Sequence, residues 1–115
     1  MNDTILELNT SLDQSDMKGA ISGFPGQIKD SFSIMSTWVQ KNNYQNIENI
    51  VVLGMGGSAI GGDVARVIAQ NDCTVPIFVN RSYNIPKWVG SNTLILASSY
   101  SGETEETLIA FAQCR

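Results

Sequence analysis

The helical period is clearest between Gln27 and Lys41, where Ile28, Phe32, Met35, Trp38 and Val39 follow one another at spacings of four, three, three and one. Those spacings place all five on one face of an amphipathic helix. Residues 1–27 show no such period, and "SGFPGQ" at 22–27 reads as a turn cluster, so an N-terminal arm with some short helix is expected over 1–27. "KNNYQN" then ends the helical stretch. From residue 50 the period changes. "IVVL" at 50–53 is a short β-branched run bounded by polar residues and glycine, which suits a strand buried on both faces. Helical spacing returns at Ala59, Ile60, Val64, Val67 and Ile68, predicting a helix over 58–70. "VPIFV" at 75–79 and "TLILA" at 93–97 repeat the strand signal, and "EETLIAFAQC" at 105–114 is a helix former.

Strands that alternate with helices, and lie further apart than a hairpin allows, imply parallel pairing with right-handed crossovers. The fold class is therefore α/β, a parallel sheet with flanking helices in Rossmann-like or flavodoxin-like layers. In such sheets ligands sit outside the carboxyl ends of the strands, where loops run into helix N-termini. Two unusual turns fall there, "GMGGSAIGGD" at 54–63 and "SSYSGETEET" at 98–107, and both are expected to edge one crevice.

Composition narrows the chemistry. The 115 residues suffice for one domain with a single core. No apolar run approaches the roughly 18 residues of a membrane span, and "MNDTILELNT" lacks the basic cluster of a secretory signal, so the expected compartment is the cytoplasm. A net charge of −4 without a Lys/Arg stripe argues against nucleic acid as a partner. Cys73 and Cys114 have neither metal-knuckle spacing nor disulfide-framework density, and with no histidine in the chain no metal site is expected.

In the first turn, Gly54, Gly56 and Gly57 let the backbone approach a ligand, and the amides at the start of the next helix join the Ser58 hydroxyl as an anion pocket. Gly61 and Gly62 lie inside that helix, at a cost of about 1 kcal/mol each relative to alanine, so close packing or a subunit contact is expected there. Gly54, Gly56 and Ala59 also satisfy a dinucleotide fingerprint. The acid that should hold the ribose is replaced by Asn80 and Arg81, which leaves an NADP reading with Arg81 on the 2′-phosphate as an alternative. The second turn is more specific. Ser99 and Ser101 alternate about Tyr100, and Thr104 falls one turn after Ser101 if a helix begins near Gly102, so three hydroxyls can face one phosphate. Helix capping alone needs one hydroxyl. Glu105 and Glu106 point roughly 100° and 200° away from Thr104 and stabilise the helix N-terminus through its dipole. Glu103, at the mouth beside Gly102, could accept hydrogen bonds from sugar hydroxyls.

"VVLGMGGSAIGGD", "VNRSYNIPKWV" and "ASSYSGETEETL" together resemble the sugar isomerase (SIS) domain, and within it the bifunctional phosphoglucose/phosphomannose isomerase family. The upstream "ISGFPGQI" is similar to that family's segment before its first helix, so the likeness runs from about Asp16 to the end. The resemblance implies that Gly57, Ser58, Ser99, Ser101 and Thr104 bind the phosphate of a hexose 6-phosphate, with Gly56, Arg81, Gly102 and Glu103 lining the crevice. It implies isomerisation of glucose or mannose 6-phosphate to fructose 6-phosphate through an enediol, without cofactor or metal, in a homodimer when full length. The family's catalytic glutamate and histidine come from later in its chain. Here there is no histidine, "FAQCR" carries no helix stop signal, and the sequence offers about three strands. Residues 28–115 are therefore expected to be the first SIS subdomain, incomplete after the third strand and its helix, with catalytic groups beyond residue 115. A non-catalytic SIS regulator and the isomerase half of glucosamine 6-phosphate synthase remain alternatives.

Overall fold

The computed structural model describes residues 12–39 and 41–114. The chain divides into two compact units, one ending at Asn43 and the next beginning at Tyr44. No helix among the described residues is long and apolar enough to cross a membrane.

The first unit carries α1, Met17–Thr37, which runs through the "SGFPGQ" segment that sequence predicts as a turn. The expected start at Gln27 is thus corrected to Met17. Its N-terminus is well capped: Asp13 accepts the amides of Met17 at 2.7 Å and Lys18 at 2.9 Å, and Asp16 accepts that of Gly19 at 3.1 Å. Three of the four amides that a helix start leaves orphaned are satisfied in this way. Pro25 forgoes one helical hydrogen bond. Gly23 and Gly26 have open space beside them, so no close packing accounts for either glycine. The apolar period in fact begins early, with Met17, Ile21, Phe24 and Ile28 at helical spacing, and these side chains are exposed.

The second unit contains β1 (Asn49–Leu53), α2 (Gly56–Ala69), β2 (Ile77–Asn80), β3 (Thr93–Ala97) and α3 (Glu105–Ala112). The strands form one parallel sheet in the order β2-β1-β3. β1 lies in the middle, and that is why "IVVL" reads as an unbroken apolar run: Val51 and Leu53 are fully buried on one face, and Val52 is buried on the other. On the first face Ala110 of α3 packs with Ile85 and Val89, and Ile95 of β3 lies alongside Val51. Ile85 and Val89 come from the irregular β2–β3 connection, which also sets Trp88 against Phe78, with ring centroids 4.7 Å apart and planes tilted by 51°. On the opposite face, α2 packs against β1 and β2 through Ala59 and Gly62. A Cβ on Gly62 would stand 2.9 Å from Val52 Cγ1 and 3.1 Å from Val79 Cγ2, so close helix–sheet packing explains this glycine. Gly61 has nothing within 4 Å.

Candidate functional site

The parallel register brings the carboxyl ends of β1 and β3 side by side, with Leu53 opposite Ala97. Each strand leaves into one of the two glycine- and hydroxyl-rich turns. The turns touch. Ser98 N–H donates to the Leu53 carbonyl at 2.8 Å, Ser98 Oγ donates to the Ser58 carbonyl at 3.1 Å, and Tyr100 N–H donates to Ser58 Oγ at 3.2 Å. Gly54 permits the approach, because a Cβ there would lie 3.1 Å from the Ser98 carbonyl oxygen and 3.3 Å from the Ala59 nitrogen. Gly56 takes φ +50° as the chain enters α2, and Gly102 takes φ +72° at the tip of the second turn. Both values lie in the left-handed region where only glycine is at ease.

Ser99, Ser101 and Thr104 converge. Thr104 Oγ1 lies 3.1 Å from Ser99 Oγ and 3.4 Å from Ser101 Oγ. The route differs from the sequence expectation of a helix beginning near Gly102: α3 starts at Glu105, and Gly102 folds the turn back so that Thr104 meets the two serines. Thr104 occupies the N-cap position yet makes no side-chain capping bond. Its hydroxyl is spent on the serine cluster instead, which argues against capping as the reason for these residues.

Proton counting shows what the cluster can do. Ser58, Ser99 and Ser101 each accept a backbone amide, from Tyr100 at 3.2 Å, Gly102 at 3.0 Å and Glu103 at 3.2 Å respectively. A hydroxyl oxygen held from behind by an N–H turns its own proton outward. Ser99, Ser101 and Thr104 hold three protons between them and share two mutual contacts, so at least one proton is left for an outside acceptor. The Ser58 proton finds no acceptor among the described residues. Gly57 sits in the first turn of α2, where helix amides and dipole favour an anion.

Arg81 makes its contact with α2. Its guanidinium is paired with Asp63 of α2, the last residue of "GMGGSAIGGD", and Arg66 lies 4.0 Å from the same carboxylate. Glu103 is exposed at the mouth of the turn. Glu105 and Glu106 occupy the first turn of α3, the favourable end of its dipole. Desolvation, together with these two carboxylates, pushes the Tyr83 phenol above its ordinary pKa. The segment after β2 is fastened to α3 through Gln113, whose Nε2 donates to the Tyr83 carbonyl at 2.6 Å while its Oε1 accepts the Ile85 amide at 3.4 Å. In the first turn of α3, Thr107 is 4% exposed, and its buried hydroxyl has no hydrogen-bond partner among the described residues. Sequence reasoning missed Ser98, whose only sign is the serine doublet closing β3, and Asp63, whose partner lies 18 residues away.

The fold and these turns define an α/β domain with a hydroxyl cluster at the carboxyl ends of parallel strands. Comparison with known proteins then supplies relatives. The bifunctional phosphoglucose/phosphomannose isomerase of Caldicellulosiruptor bescii is 41% identical over 96 residues, covering 84% of this chain and 28% of that protein. Its counterpart in Thermoplasma acidophilum is 50% identical over 62 residues, 54% of this chain and 19% of the relative. A glutamine–fructose-6-phosphate aminotransferase (isomerizing) of Corynebacterium efficiens is 30% identical over 80 residues, 67% and 13% of the two chains. This chain is a homologue of the bifunctional phosphoglucose/phosphomannose isomerases, and it spans 28% and 19% of the length of the first two relatives. No family model matches it, and no solved structure does.

Proposed function

We propose that this chain is the sugar phosphate-binding part of an aldose–ketose isomerase that interconverts glucose 6-phosphate, and mannose 6-phosphate, with fructose 6-phosphate through an enediol. In this reading Gly57, Ser58, Ser99, Ser101 and Thr104 form the phosphate cup, with Gly56, Gly102 and Glu103 at its rim. The observation that carries it is the convergence of Ser99, Ser101 and Thr104 within 3.4 Å, beside a Ser58 hydroxyl fixed by the same segment. A terminal phosphate monoester has three free oxygens and at neutral pH about two charges. It matches several convergent O–H donors better than a bridging pyrophosphate does. Hydrogen bonds to a charged group contribute about 1.5–3 kcal/mol each, so the cup alone can hold the phosphate end of a hexose.

Isomerisation further requires a base to move a proton between C2 and C1 and an acid to open the ring. The chain has no histidine, and Glu105 and Glu106 serve the α3 N-terminus and Tyr83. We assign proton transfer to the part of the relatives' length that this chain does not match, in an assembly taken to be a homodimer. Against the NADP alternative, the Asp63 carboxylate engages the Arg81 charge that a 2′-phosphate would need. Titrating the chain with fructose 6-phosphate, with NADP as control, tests the proposal. Saturable binding of the sugar phosphate supports it, and binding of NADP alone refutes it.

A further inference from the structure

The geometry points to Ser98 as the positioning residue that holds the two halves of the cup in register, an inference that rests on the phosphate-binding reading above. The polar groups of Ser98 face the end of β1 and the first turn. Its N–H donates to the Leu53 carbonyl at 2.8 Å, its Oγ donates to the Ser58 carbonyl at 3.1 Å, and its own carbonyl oxygen lies 3.1 Å from where a Cβ on Gly54 would stand. The single hydroxyl proton is committed to Ser58, so Ser98 has none to give a ligand. It acts through Ser58.

That contact spans 40 residues of sequence and is partly buried, where a hydrogen bond is shielded from competing water. It fixes the first turn of α2 against the segment that carries Ser99, Ser101 and Thr104. The Tyr100 amide completes the fastening by donating to Ser58 Oγ at 3.2 Å, which also sets the direction of the Ser58 proton. Without the Ser98 hydroxyl, the hydrogen bond from Tyr100 is left to hold Ser58 against the second turn, and the four hydroxyls lose their fixed spacing before any anion arrives. Loss of preorganisation lowers affinity even though no ligand contact is removed.

The test compares Ser98→Ala, Ser98→Thr and Ser98→Val in the whole chain, with fructose 6-phosphate affinity and amide exchange at Tyr100 as readouts. Ser98→Ala is expected to weaken binding about 3- to 10-fold, the loss of one neutral hydrogen bond, and to speed exchange at Tyr100. Ser98→Thr, which keeps the hydroxyl, restores both. Should the alanine variant fail to fold, the Thr/Val pair differs only in the hydroxyl and carries the same comparison. Unchanged affinity and exchange in Ser98→Ala, or equal behaviour of the Thr and Val variants, overturns the assignment. If the parent chain binds no sugar phosphate, the functional reading fails, and exchange at Tyr100 alone decides whether Ser98 fastens the turns.

Discussion

Two adjacent glycines in α2 should respond to alanine differently, one gaining stability and the other gaining none. Alanine is a better helix residue than glycine by about 0.8–1 kcal/mol. At Gly61 nothing lies within 4 Å of the new methyl, so Gly61→Ala should gain that whole amount. At Gly62 the methyl would meet Val52 Cγ1 at 2.9 Å, Val52 Cβ at 3.1 Å and Val79 Cγ2 at 3.1 Å. Val52 is 6% exposed and belongs to the central strand, so it has little room to yield. Overpacking of this kind costs about 1–3 kcal/mol, which leaves Gly62→Ala between neutral and about 2 kcal/mol destabilised after the helix gain. The two variants should thus differ by about 1–3 kcal/mol. For a domain of this size 1 kcal/mol moves Tm by about 4–8 °C. Thermal melts followed by circular dichroism should place Gly61→Ala above the parent and Gly62→Ala at least about 4 °C below Gly61→Ala. A Gly62→Ala protein that melts as high as Gly61→Ala would refute the packing of α2 on β1 and β2 described above.

Further outcomes follow from the site. Ser101→Ala should weaken sugar phosphate binding about tenfold or more, measured calorimetrically, since it removes a bond to a charged group; unchanged affinity takes Ser101 out of the cup. The Tyr83 phenol, raised by desolvation and by Glu105 and Glu106, favours its protonated form in the folded state. Its contribution to stability is therefore full below the ordinary tyrosine pKa of about 10 and is lost as pH rises through the higher folded value. A Glu105→Gln, Glu106→Gln double variant should lower the ultraviolet titration midpoint of Tyr83, and an unmoved midpoint contradicts the pairing. Asp63→Asn should cost no more than about 1 kcal/mol in denaturant, because its pairing with Arg81 is partly exposed, and it should leave fructose 6-phosphate affinity intact. The chain by itself should show little isomerase turnover in a coupled assay, because general acid–base groups are worth roughly 10²–10⁴ in rate.

What the sequence made legible was decided by local patterning. β3 was readable to the residue because "TLILA" is apolar and closed at both ends by polar residues, and the parallel sheet followed from strand–helix alternation. The start of α1 is hidden in the sequence because Gly23, Pro25 and Gly26 carry turn propensity, although Asp13 and Asp16 offer caps that support the earlier start. The convergence of Ser99, Ser101 and Thr104 was legible as a hydroxyl count, but its geometry depends on the positive φ of Gly102 and not on a helical turn. Ser98 and the Arg81–Asp63 pair are tertiary facts. Their partners lie 40 and 18 residues away, and no local pattern announces either.

The central claim is most directly tested by titrating the isotopically labelled chain with fructose 6-phosphate and following its amide resonances, with NADP as the control. A sugar phosphate cup predicts saturable shifts confined to Gly57, Ser58 and residues 99–104, and none of that pattern with NADP. A well-dispersed spectrum in which those amides ignore fructose 6-phosphate would contradict it.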